Sequence, residues 1–75
     1  MIAEHDLVVL AVDMPQQGLR EGDVGTAVLV HSSAGPYEVE FVDASGRTVA
    51  LLTLAADQVR ARRDRELLHV REVTA

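Results

Sequence analysis

The sequence predicts an all-β domain, a small five-stranded barrel with one short 3₁₀ turn and a C-terminal tail. Three observations lead there. Seventy-five residues make one domain, and a domain of this size buries only about 60% of the surface its unfolded chain exposes. The apolar fraction is 48%, yet Tyr37 and Phe41 are the only aromatics, so the core has to be aliphatic. Short segments of alternating polarity recur between clusters of Gly, Pro, Asp and Ser, which is the period of strands and turns. The barrel is expected over residues 1–63 and the tail over residues 64–75, the tail packing on the barrel or on a partner.

The first strand is expected over Asp6 to Val12, where Leu7-Val8-Val9-Leu10-Ala11-Val12 is apolar on both faces. Asp13 to Gly18 follows as a loop in which Pro15 removes a ladder donor and holds Met14 extended. Gly18 and Gly22 then bracket a tight excursion that calls for positive φ at one or both positions. Asp23 can bond the backbone as the chain turns. Val24, Thr26, Val28 and Val30 continue at strand period to His31, and Gly25 inside that pattern marks a bulge or a close backbone approach. A tight loop feeding a bent strand in this way begins many SH3-like barrels.

Ser32-Ser33-Ala34-Gly35-Pro36 is a turn cluster. Tyr37 to Val42 is the clearest amphipathic strand, with Tyr37, Val39 and Phe41 on one face and Glu38 and Glu40 on the other. Asp43 to Gly46 reverses the chain, with Gly46 suited to left-handed backbone. Arg47 to Leu54 reads as a strand with no wholly polar face. Ala55 to Val59 resembles one turn of 3₁₀ or α-helix, and Arg60-Ala61-Arg62 a last short strand. Residues 64–73 fit a helix capped by Asp64 or an extended segment. The extended form is favoured, since ten residues make only a marginal helix by themselves.

The two-sided strands have a consequence. A small barrel fills its inside with side chains and leaves its outside to water. Apolar residues on both faces of 7–12 and 48–54 therefore imply an outer surface that needs cover, from the tail's Leu67, Leu68, Val70 and Val73 or from another polypeptide. At roughly 25 cal/mol per Å², about 300 Å² of such surface is worth several kcal/mol before the costs of association.

Charge is unevenly spread. Residues 1–57 carry nine acidic groups against Arg20 and Arg47, a net of −7, while residues 58–75 carry five arginines against three acids, a net of +2, for −5 overall. Every basic residue is arginine, whose planar fork suits paired, fixed contacts. Arg62, Arg63, Arg65 and Arg71 in the tail, with Glu38, Glu40 and Asp43 on the body, are the candidate partner-binding residues. Their plainest alternative is pairing with each other or solvation.

Chemistry of other kinds finds little support. His5, His31 and His69 are scattered and no cysteine joins them, so no metal or other cofactor is expected and no recognised ligand spacing occurs. His31-Ser32-Ser33 lacks the strained elbow and third partner of a nucleophilic site. The glycines of 18–25 precede no Lys-Ser/Thr pair and no helix, so they do not form a phosphate loop. An acidic body with two aromatics makes nucleic acid an unlikely ligand. With no cysteine, no basic leader and no apolar run near the ~18 residues of a membrane span, the chain reads as soluble and cytoplasmic.

Taken together, Val12-Asp13-Met14-Pro15, Gly18-Leu19-Arg20-Glu21-Gly22-Asp23-Val24-Gly25-Thr26, Tyr37-Glu38-Val39-Glu40-Phe41-Val42-Asp43, Gly46-Arg47-Thr48 and Leu54 through Arg60 resemble a bacterial family of small domains of unknown function. The resemblance covers nearly the whole chain, its members usually carrying Leu at the position of Met14. It implies an SH3-like barrel and a gene neighbourhood with a second small open reading frame, as in toxin–antitoxin or immunity pairs, and it supplies no catalytic residues to carry over. The expected function is a non-enzymatic protein-interaction module, an antitoxin- or immunity-like partner of a small effector, or a homo-oligomer. The alternative is an RNA- or ribosome-binding barrel, since Gly22 to Val28 is similar to the KOW motif.

Overall fold

The computed structural model describes residues 1–73. Five strands follow in order: β1 (Leu7–Leu10), β2 (Val24–Val30), β3 (Tyr37–Val42), β4 (Thr48–Leu54) and β5 (Val59–Ala61). They form one antiparallel sheet in the order β4-β3-β2-β1-β5. The all-β class is as the alternating pattern requires. The barrel is only loosely one, because no ladder joins β4 to β5 and the sheet stays open at those two edges. The core nevertheless gathers residues of all five strands into one cluster, from Leu54 at one edge to Val59 at the other.

Alternation explains which side chains enter that cluster. Val8 and Leu10 of β1, Ala27 of β2, Tyr37, Val39 and Phe41 of β3, and Ala50 and Leu54 of β4 are all buried in it. β3 buries every second residue until Val42, as its sequence demands. Gly25 faces the same interior, and its role is steric. A Cβ there would lie 2.7 Å from Val39 Cγ1 and 2.9 Å from Phe41 Cε2. It is a close approach and not a bulge. The irregularity of β2 falls further on, between Ala27 and Leu29.

The loops show why particular residues stand where they do. The 3₁₀ turn spans Pro15–Gln17, with proline's preset φ at its start and Gly18 closing it in left-handed backbone. It was expected at residues 55–59. There the Gln58 side chain accepts the Ala55 N–H at 2.9 Å while the Gln58 N–H bonds the Ala55 carbonyl at 3.0 Å, which completes a single turn and leaves nothing to propagate. Both Gly18 and Gly22 have positive φ. Asp23 accepts the Arg20 N–H at 2.8 Å, the backbone bond expected of it.

Strand ends are trimmed relative to the sequence pattern. β1 ends at Leu10, and the Ala11 N–H still bonds the Gln58 carbonyl opposite it at 2.8 Å. β5 sits one residue earlier than read. The segment from Arg62 to Val73 contains neither helix nor strand, so the helical alternative for residues 64–73 is absent among the described residues.

Candidate functional site

The sheet face turned away from the core holds the features of interest. The ladders align Leu7, Thr26, Glu40 and Leu51 in one row across β1, β2, β3 and β4. A neighbouring row aligns Leu29, Glu38 and Thr53, and another brings Val9 between Val24 and Arg60. This face is mixed: aliphatic side chains alternate with carboxylates and threonines.

Its two ends differ in cover. Val9 lies outside the core cluster yet is only 6% exposed. The tail runs beside it, and Leu7, Val9, Val24, Glu66 and Leu68 line one recess. Towards β4 there is no such cover. Leu51 is 59% exposed, and Leu29 and Val42 are exposed with it. The outer aliphatic surface expected from the two-sided strands is therefore part covered by the chain's own tail and part open. β4 is also the open edge of the sheet, and its seven residues, Thr48-Val49-Ala50-Leu51-Leu52-Thr53-Leu54, carry no charge and no proline.

The carboxylates beside that edge are fixed by short bonds. Glu38 meets His31 Nε2 at 2.9 Å and accepts the Thr53 hydroxyl at 2.8 Å. These bonds, the His31 contact first, hold its carboxyl below the usual range. Glu40 accepts the Thr48 hydroxyl at 2.6 Å. Neither is a free surface acid, as sequence alone suggested; each is held upright by a cross-strand partner on β4. Asp43 serves the β3–β4 turn. One of its oxygens accepts the Ser45 hydroxyl and the N–H groups of Ser45 and Arg47, which holds its carboxyl below the usual range in the same way.

The candidate arginines separate into distinct roles. Arg71 reaches back to the body: its Nε donates to Asp23 at 2.8 Å, and its Nη2 bonds the other Asp23 oxygen and the Gly18 carbonyl. The Arg71 guanidinium is the chief reason the Asp23 carboxyl titrates below its ordinary range. Arg62 pairs with the exposed Asp64 at 3.2 Å. Arg63 and Arg65 make no ion pair among the described residues. They do not converge with Glu38 and Glu40 into one site.

Two partners had no signal in the sequence. Arg60 of β5 forks onto Glu66, whose carboxyl also accepts the Arg63 N–H, and together these hold it at about 2. His31 leans on Glu38 across the β2–β3 hairpin. No group of three His, Asp or Glu side chains is arranged to hold a metal ion among the described residues. No helix there is long and apolar enough to cross a membrane.

Comparison with known proteins matches residues 4–61 to a family described as a domain of unknown function, DUF4926. The chain belongs to this family. The matched region ends with β5, so the family's domain comprises the whole sheet, and the segment carrying Arg62, Arg63, Arg65 and Arg71 lies beyond it. No curated protein and no solved structure gives a significant match.

Proposed function

We propose that this member of the family is a non-enzymatic protein-interaction module of the cytoplasm that engages a small basic protein in the manner of an antitoxin or immunity partner. One observation carries the reading: the uncharged β4 edge, with Leu51 turned to solvent, stands directly beside the upright carboxylates of Glu38 and Glu40. Unpaired strand edges are normally blunted by lysine, proline or charge because their free N–H and C=O groups accept another strand. Here that protection is missing, and the apolar side chains offer contact area while the neighbouring acids select a basic surface. The net charge of −7 over residues 1–57 supports the same choice.

The test is co-expression with the product of the small open reading frame expected beside its gene. A stable complex should form with the wild-type chain and be lost with Leu51→Glu, while thermal unfolding of the variant alone stays near that of the wild type. A folded wild-type chain that forms no complex, or a complex indifferent to Leu51→Glu, contradicts the reading.

A further inference from the structure

The tail's anchorage and its exposure do not agree, and the disagreement has a physical reading. The anchor is firm: Arg71 makes two hydrogen bonds to Asp23 and one to Gly18, and the two charged side chains are each less than one-fifth exposed. A bidentate guanidinium–carboxylate pair of this kind fixes direction as well as position. Two aliphatic side chains on the same segment find no such place. Leu67 is 94% exposed and Val70 is 90% exposed. Among the described residues, the segment between Ala61 and Arg71 makes no strand ladder, and its one backbone–backbone bond runs from the Glu66 N–H to the Arg63 carbonyl, within the segment itself.

The receiving surface is also unfinished. Asp23, Val24, Val42, Val49 and Leu68 line an open recess of about 590 Å³ beneath the tail. Val42 on its rim is exposed. One chain thus presents an acid-anchored apolar groove and an arginine-anchored apolar strap, and when the two meet within one molecule part of the apolar surface of each stays in water.

We propose that the C-terminal strap is exchanged between two copies of this chain, Arg71 of each docking on Asp23 of the other, with Leu67 and Val70 buried between the copies. The Arg71 contacts to Asp23 and Gly18 serve equally between two molecules, and exchange beyond Glu66 leaves its bonds to Arg60 and Arg63 in place. What it adds is cover for aliphatic surface that the monomer leaves in water, and this is what offsets the cost of association. The opposite charges of the body and the tail favour the encounter. When the exchange is reciprocal, each groove takes the other copy's strap and the contact closes as a twofold dimer. The recess touches β4 at Val49 but includes none of Leu51, Glu38 and Glu40, on which the partner reading rests, so the two readings fail separately.

A charge-reversal pair tests this in the full-length chain. Asp23→Arg and Arg71→Asp each place like charges at the contact, both within one molecule and between identical copies. Mixed in equal amounts, they restore both contacts only between unlike copies: the native Arg71 of the first meets the native Asp23 of the second, and the two substituted residues meet each other. The expected result is that each variant sediments as a monomer alone and that the mixture sediments at twice that mass. Folded variants that remain monomeric when mixed overturn the proposal. Asp23 also accepts the Arg20 N–H, so its substitution could disturb the loop. Wild-type chain in two differently tagged forms supplies the second measurement. Tagged copies that co-sediment as a dimer, and separate on Arg71→Ala, support exchange; wild-type chain that stays monomeric at every concentration reached overturns it.

Discussion

Asp23 and Arg71 stand 48 residues apart in sequence and meet through two hydrogen bonds, with a third from Arg71 to the Gly18 carbonyl at 3.0 Å. This contact ties the loop that enters β2 to the segment that follows β5. It joins residues within the family's domain to residues beyond it. Asp23 is thus used twice, once to cap the loop through the Arg20 N–H and once to hold the tail.

Removing the anchor should free the tail without unfolding the sheet. Arg62, Arg63 and Arg65 are cleavage sites for trypsin placed within the segment that the anchor restrains. In Arg71→Ala, limited trypsin digestion is expected to cut at these sites several-fold faster than in the wild type, leaving a fragment that ends near β5. Equal rates would mean that the Asp23 contact does not restrain the segment.

Acid should release the same contacts. The folded-state carboxyls of Asp23 and Glu66 titrate below their ordinary values, the first mainly through Arg71 and the second, at about 2, mainly through Arg60. A carboxyl depressed in the folded state stabilises the fold above its unfolded value and loses that contribution as pH falls through the folded value. The melting temperature is therefore expected to hold steady above about pH 5 and to fall progressively from there towards pH 2. Arg71→Ala should flatten the part of that decline that comes from Asp23. A melting temperature that rises on acidification would contradict the assignment.

Adjacent residues of β3 should differ sharply in cost. Phe41 is buried in the core cluster while Glu40 stands on the outer face with Thr48. Urea unfolding of Phe41→Ala should show a loss of about 3–5 kcal/mol, and Glu40→Ala a loss under about 1 kcal/mol, as for an exposed hydrogen-bonded acid. Comparable losses would mean the strand is faced the other way.

Gly25 should tolerate no side chain. The added methyl of Gly25→Ala would fall within 3 Å of both Val39 and Phe41, two residues fixed in the core. The expected loss is about 1–3 kcal/mol by chemical denaturation, as for other overpacked interiors. A neutral substitution would show that β2 and β3 separate at little cost.

Legibility in the sequence followed the range of the determining forces. β3 and the turn after it could be read from Tyr37 to Gly46 because alternation, a turn aspartate and a left-handed glycine are local signals. Gly25 stood out for the same reason, as a missing side chain in a strand pattern. The open β4 edge was not legible, since closure depends on how far a curved sheet travels and no residue states that. The split among the arginines was hidden too. Nothing near Arg71 distinguishes it from Arg63 or Arg65, and its partner Asp23 becomes a neighbour only once β1 and β2 have paired. Glu38 and Glu40 were correctly faced outward, but their threonine partners on β4 required the register to be known.

The measurement that bears most directly on the interaction reading is amide hydrogen exchange on the chain alone and in the co-expressed complex. Binding through the open edge should slow exchange along Thr48–Leu54 and at Glu38 and Glu40 on β3. Protection confined to the Gly18–Gly25 loop and the arginine tail, with β4 exchanging as freely as in the isolated chain, would contradict it.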